Sequence, residues 1–230
     1  MKFYVGTSGW MYEWNRGGNL KWYVENSGLN AIELNYSFYR FPSSKQVKSW
    51  ISAGSGLSWS VKVNRTITQM FKLNMRAERS MSKFLDIFSP MDSIVDNYLF
   101  QLPPNFTSKF KDRVFRIVEK FKLNEKAVIE PRHVSWFNDT IYLEFKDRKI
   151  CMTSIDSPIG NFYVRTSDKI YLRMHGRRVW YTYRYSNPVL RSVFDGVKAL
   201  GGRKAFVFFN NDHSMLSNAR YMSNLPEKRG

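Results

Sequence analysis

Short apolar runs recur along the chain, each rich in β-branched or aromatic residues and bounded by polar or turn-forming positions. They run Phe3 to Thr7, Ala31 to Asn35, Ser58 to Val63, Asn97 to Leu102, Ala127 to Glu130, Ile150 to Ile155, Ile170 to Met174 and Ala205 to Asn210. Segments of helical period lie between most of them. Ser43 to Ala53 puts Val47, Trp50 and Ile51 on one face behind the start signal Pro42-Ser43-Ser44. Lys109 to Phe121 spaces Phe110, Val114, Ile117, Val118 and Phe121 helically, and Pro188 to Leu200 opens on a proline and stops at Gly201-Gly202. Ser214 to Leu225 closes the pattern. Strand and helix alternating in this way predict an α/β fold, a (β/α)8 barrel of the TIM type, with an open doubly wound sheet as the alternative. Between Ile155 and Ile170 the chain is too short and too turn-rich for a full helix, so the helix after strand six is predicted to be reduced or missing. No linker, repeat or low-complexity tract breaks the pattern, and residues 1–230 are expected to form one barrel domain.

Composition narrows the classes. A length of 230 residues suits one barrel, and 43% hydrophobic residues supply a sizeable core. The mean hydropathy of -0.44, with no apolar stretch near the roughly 18 residues of a spanning helix, predicts no membrane insertion. Met1 to Gly6 turns straight into a strand pattern, so no signal peptide is expected, and the single Cys151 excludes an internal disulfide. Both features suit a cytoplasmic protein. The net charge of +17 speaks of partners rather than fold. Its usual counterpart is nucleic acid or another phosphate-bearing ligand, and the plain alternative is solubility.

Barrel strands are buried, so polar residues at their carboxyl ends are candidates for chemistry. Such residues recur here: Thr7-Ser8-Gly9-Trp10, then Glu33 and Asn35 with Tyr36, Tyr39 and Arg40, then Lys62 with Asn64-Arg65. Gln101, Glu130-Pro131-Arg132-His133, Asp156, Arg173 with His175-Gly176-Arg177-Arg178, and Asn210-Asn211-Asp212-His213 follow. All three histidines sit at such exits. His175, directly after an apolar strand, is the strongest candidate, and His133 and His213 lie one step into loops. Glu33 lies inside an apolar run, where an unpaired carboxylate is costly, so it must pair with a cation, hold a metal or face the barrel mouth. Lys62 on the next strand is its natural partner. Glu130 and Arg132 offer a second ion pair, and Asp156 before Ser157-Pro158 suits a turn.

Glu130, Asp156 and His175 are ligand types that suit a divalent metal such as Zn²⁺ or Mn²⁺, although no spaced histidine or cysteine motif supports one. Glu130 and His175 could equally do acid–base work without metal. Neither a glycine-rich dinucleotide loop nor a phosphate-cradling P-loop is present. Aromatic residues make up 17% of the chain, densest in Arg177 to Tyr185, where rings alternate with arginines as in surfaces that stack bases or sugars. Packing of that loop on the barrel rim is the alternative.

Taken in order, these exits carry motifs. Val5-Gly6-Thr7-Ser8-Gly9-Trp10, Glu33 to Pro42, Phe100-Gln101-Leu102-Pro103-Pro104, Glu130-Pro131-Arg132-His133, Asp156-Ser157-Pro158, Arg173-Met174-His175-Gly176-Arg177 and Phe208 to Asp212 resemble the YecE-like family, also called domain of unknown function family 72. The resemblance runs from Val5 to about Arg220 in the family's order and implies a TIM barrel. It supplies no activity. The family's barrel is similar to barrels of the endonuclease IV class, which implies DNA binding or processing, but this chain lacks the histidine-rich ligand set of a three-metal nuclease.

Three functions are therefore weighed. One is a phosphodiesterase- or nuclease-like enzyme, with Arg40, Lys62, Arg132, Arg173 and Arg177 holding phosphate and Glu130, Asp156 and His175 doing acid–base work or holding metal. Glu33 orients Lys62 in that scheme, and Trp10, Tyr39, Asn210, Asn211 and Asp212 complete the substrate contacts. The second is a non-catalytic nucleic-acid binding protein, and the third a sugar or small-metabolite enzyme.

Overall fold

Strand and helix alternate along residues 1–225, the part of the chain described in this computed structural model. The strands are β1 (Lys2–Ser8), β2 (Ala31–Leu34), β3 (Ser58–Lys62), β4 (Val95–Gln101), β5 (Ala127–Glu130), β6 (Cys151–Met152), β7 (Ser154–Ser157), β8 (Gly160–Phe162), β9 (Lys169–Met174) and β10 (Lys204–Phe209). The helices are α1 (Leu20–Asn26), α2 (Tyr36–Tyr39), α3 (Ser44–Gly54), α4 (Ala77–Phe88), α5 (Lys111–Lys120), α6 (Asp139–Asp147), α7 (Asn187–Ala199) and α8 (Met215–Ser223). The predicted strands and the four predicted helices are present to within a few residues. The pattern gave no explicit place to α1, α2, α4 or α6.

The sheet order is β6-β5-β4-β3-β2-β1-β10-β9-β7-β8, and every pairing is parallel except β7 with β8. The two ends of this order are one stretch of chain. β6 pairs with β5, Thr153 N still donates to Ile129 O at 2.9 Å, and β7 then pairs with β9. The sixth barrel strand thus changes partner at Thr153, and the sheet curls into a barrel of the TIM type. No full helix follows it. A tight β7–β8 hairpin takes that place, and the segment after it is tied back to the strand. Ser154 Oγ bonds Val164 at both its carbonyl (3.0 Å) and its amide (2.9 Å), and Thr166 Oγ1 donates to Ile150 O at 2.7 Å.

Successive strand residues point to opposite faces, and this parity sorts the core into two layers. Tyr4, Ala31, Leu99, Val128, Cys151, Tyr171, Phe206 and Phe208 fill the barrel interior. Their neighbours, such as Val5, Ile32, Val61, Ile129, Leu172 and Val207, face outward into the larger core shared with the helices. Gly6 belongs to the interior set, and a β-carbon there would lie 2.3 Å from the Ala31 carbonyl oxygen and 3.0 Å from the Phe208 ring. Gly6→Ala is accordingly expected to cost about 1–3 kcal/mol, the usual penalty for overpacking, measured as a lowered urea midpoint with unchanged slope. Among the described residues no helix is long and apolar enough to cross a membrane.

Candidate functional site

The interior parity continues past the apolar layers to the carboxyl ends of the strands, where it becomes polar. Ser8, Glu33, Lys62, Gln101, Glu130 and Arg173 stand in phase with the inward residues before them, followed one step on by His175 and Asn210. Arg173, fully buried, is the hub. Its Nε and Nη2 donate to the two Glu33 oxygens at 2.9 and 2.5 Å, and its Nη1 donates to Glu130 Oε2 at 2.7 Å. The fork geometry of a guanidinium allows this double engagement. Glu33 also accepts from Ser8 Oγ (2.7 Å) and from the Tyr171 hydroxyl (2.8 Å), which lies 2.6 Å from Ser60 Oγ. Glu130 Oε1 lies 2.8 Å from His175 Nε2 and 3.1 Å from Arg132 Nη2.

Burial works against the charge of Glu130, yet Arg132 and Arg173, with the His175 hydrogen bond, hold its carboxyl well below the usual range. Burial, then the charges of Arg132 and Arg173, push His175 down to about 3 against the pull of Glu130. The ring is therefore neutral at pH 7. An ionised carboxylate only accepts, so Nε2 carries the proton, and Nδ1 faces Asn210 Nδ2 at 3.4 Å. Both Glu130 and His175 are committed to this network. They are poorly placed to exchange protons with a substrate, and their better-supported role is to fix Arg132 and Arg173.

Lys62 differs from the rest. Its residue is 7% exposed, and its ammonium lies 4.2 Å from the centre of the Phe38 ring. Among the described residues it has no hydrogen-bond or ion-pair partner. Burial, then the neighbouring Arg173, lower its pKa to about 7 despite Glu130 and Glu33. The expected Glu33–Lys62 pair is thus corrected: Arg173, reaching across the barrel, takes Glu33, and Glu33 does not orient Lys62. Arg132 is also only partly engaged. It meets the cluster through Nη2, its Nε is buried without a partner, and its guanidinium stacks 4.4 Å from the Trp180 ring.

Beside Arg132 opens a cleft of about 430 Å³, lined by Gln69, Gln101, Leu102, Pro104, Arg132, Ile159, Trp180 and Tyr181. Gln69 comes from a π-helical turn, Thr66–Met70, and donates to Gln101 O at 2.7 Å. Tyr181 holds a positive φ of 71°, costly for a bulky residue, and its amide donates to His175 O at 2.8 Å.

Other candidates stand apart. Counted from the inward Cys151, Asp156 has outward parity and lies opposite Met174, not Arg173. Arg177 Nη2 (2.8 Å), Tyr163 (2.7 Å) and Tyr185 (2.9 Å) occupy its carboxylate. Glu130, Asp156 and His175 therefore do not converge, and among the described residues no three acidic, histidine or cysteine side chains are grouped to hold a metal. Arginine and lysine surround the mouth instead, a donor set that does not fit a divalent cation. Trp10 packs in the core, edge to face with Trp50 and Trp59. Asn211 is buried and donates to Tyr183 O (2.6 Å) and Asn218 Oδ1 (2.9 Å). Asp212 begins a short 3-10 turn, Tyr39 is exposed against Phe38, and Arg40 is exposed. His133 caps the turn Val134–Trp136, and His213 meets Glu13 at the surface. Ser60, Tyr171 and Gln69 are not among the residues the sequence points to. The first two share interior parity with Lys62 and Arg173, a signal that was there to use.

The family model described as "Protein of unknown function DUF72" matches residues 4–229. The chain belongs to the DUF72 family. A crystal structure of a DUF72 protein from Thermotoga maritima is 26% identical, with a TM-score of 0.82, covering 99% of this chain and 100% of that one. Two crystal structures of a DUF72 protein from Enterococcus faecalis V583 share the fold at 18% and 19% identity, each with a TM-score of 0.84. They cover 99% and 98% of this chain, and 96% and 98% of theirs. No curated protein matches the chain. DUF72 membership thus supports the barrel and leaves the chemistry to the residues at its mouth.

Proposed function

We propose that this DUF72 chain is an enzyme acting on a phosphate-bearing substrate at the carboxyl-terminal mouth of its barrel. The observation that carries the reading is the pairing of an uncommitted buried lysine, Lys62, with a half-committed arginine, Arg132. Each faces a mouth whose carboxylates are already taken by Arg173. A site with spare cationic donors and no spare carboxylate favours an anion. Arginine suits phosphate through its planar fork, and Arg132 leans on Trp180 at the edge of the cleft, where the rest of a substrate would lie. Lys62, poised near neutrality, is the side chain best placed to react. Nucleic-acid phosphodiesters and small phosphorylated metabolites both belong to this class.

A second reading, non-catalytic nucleic-acid binding, is favoured by the net charge of +17 and by exposed Arg178, Tyr181 and Arg184 on the loop over the cleft. One set of titrations separates the two. Inorganic phosphate, a small phosphomonoester, and short single- and double-stranded DNA and RNA are bound at two salt concentrations, with turnover followed on the same samples. The enzyme reading predicts turnover of a phosphate compound and at least tenfold weaker phosphate binding in Arg132→Gln, a loss of about 1.4 kcal/mol. Nucleic-acid affinity that falls steeply with salt, without turnover and unmoved by Arg132→Gln, would establish the binding module. Failure of every phosphate ligand to bind would sink both.

A further inference from the structure

We propose that Lys62 is a covalent nucleophile whose Nζ forms a Schiff base with the carbonyl carbon of an aldehyde or ketone that also carries a phosphate. This rests on the reading that a phosphate-bearing substrate occupies the mouth, and it names that substrate's reacting group.

Its place in the barrel motivates the role. Lys62 ends β3, in phase with inward-facing Ser60, and only 7% of the residue reaches solvent. Among the described residues it has neither carboxylate nor hydrogen-bond acceptor, only the Phe38 ring at 4.2 Å. A buried lysine kept for structure is ordinarily paired, because an isolated buried charge is expensive. The two nearby carboxylates are held by other groups: Glu33 by Arg173, Ser8 and Tyr171, and Glu130 by Arg173, Arg132 and His175. An amine withdrawn from water beside the fixed cations Arg173 and Arg132, with only the Phe38 ring against it, is an arrangement that weakens its hold on a proton and makes it nucleophilic. Protonated, Lys62 adds to the positive field that draws the anion in; its neutral fraction is the nucleophile. Arg132, a fixed cation at the edge of the cleft against Trp180, supplies the lasting charge for the phosphate.

The chemistry balances without a co-reactant. The Nζ lone pair adds to the carbonyl carbon, forming an N–C bond while the C=O π pair moves to oxygen. A proton passes from nitrogen to that oxygen to give the carbinolamine. Loss of water breaks the C–O bond and leaves the imine. Nothing is oxidised or reduced.

The test incubates the intact protein at pH 7 with glycolaldehyde phosphate or uncharged glycolaldehyde and sodium cyanoborohydride, which reduces an imine to a stable amine. Adducts are then mapped by peptide mass spectrometry. The expected result is an adduct on the tryptic peptide ending at Arg65. It should form at least tenfold faster than on exposed Lys45 or Lys48, favour the phosphorylated probe and be slowed by inorganic phosphate. Lys62→Arg, which keeps the charge, should abolish it, and Arg132→Gln should erase the preference for the phosphorylated probe. Labelling no faster at Lys62 than at the surface lysines would overturn the proposal. In that case, saturable binding of inorganic phosphate that Arg132→Gln weakens leaves the phosphate-substrate reading standing, and absence of such binding removes it as well.

Discussion

Arg173→Leu is expected to cost about 3–5 kcal/mol of folding stability, the usual result of stripping one partner from a buried ion pair. That is a large share of the 5–15 kcal/mol by which domains are ordinarily stable. The cause is geometric. Arg173 is fully buried and bridges two fully buried carboxylates, Glu33 on β2 and Glu130 on β5. Without it Glu33 keeps only the Ser8 and Tyr171 hydroxyls, and Glu130 keeps Arg132 and neutral His175. Arg173→Lys restores charge but offers no planar fork to span both partners, so it should recover only part of the loss. Adding Glu33→Gln to Arg173→Leu removes the stranded charge and should recover more. Urea denaturation followed by circular dichroism reads all three. A loss below about 1 kcal/mol for Arg173→Leu would mean that the carboxylates are not held as charges in this network.

Lys62→Met has the opposite sign: a more stable protein without the proposed chemistry. The folded state binds the Lys62 proton more weakly than the unfolded chain does, because its pKa falls from an ordinary 10.5 to about 7. Stability contributed by this residue therefore rises with pH between about 7 and about 10, and the penalty is largest at and below neutrality. At about 1.4 kcal/mol for each unit of displacement, the methionine variant should be more stable by on the order of a few kcal/mol at pH 7. It should also lose that stretch of pH dependence. Urea midpoints of parent and variant at pH 7 and 9.5 provide the check. A parent whose stability does not climb over that interval would show that Lys62 carries no unpaired charge. A residue whose removal stabilises the fold is kept for something other than the fold, which fits a site that trades stability for reactivity.

The sequence made the barrel legible because its strands are short, apolar and evenly interrupted, and because each ends in polar residues that have no place in a core. Glu33 was recognisable as a buried carboxylate in need of a cation. Its cation is not legible, because neighbouring strands can be read along a chain, whereas Arg173 reaches Glu33 across the barrel. The same limit applies to Asp156. Its position at a strand exit was plain, but its direction depends on counting parity through Thr153, where the strand changes partner. The unpaired state of Lys62 had no sequence signal at all. It is the outcome of every nearby acceptor being claimed by another donor.

Asp156 has a different consequence. Arg177 and Tyr185 both end on its carboxylate, and Tyr185 also donates its amide to Asn218 Oδ1 at 3.2 Å. The stretch between them is an Ω-shaped excursion whose two feet stand on one acid. That stretch includes Trp180 and Tyr181, the aromatic wall of the cleft. The feet are pinned, and the crown, from Arg178 to Thr182, is held from below: Trp180 stacks on Arg132, and the Tyr181 amide donates to His175 O. The excursion is thus coupled to the Arg173 network at its crown, through Arg132 and His175, and a single carboxylate holds its two ends together.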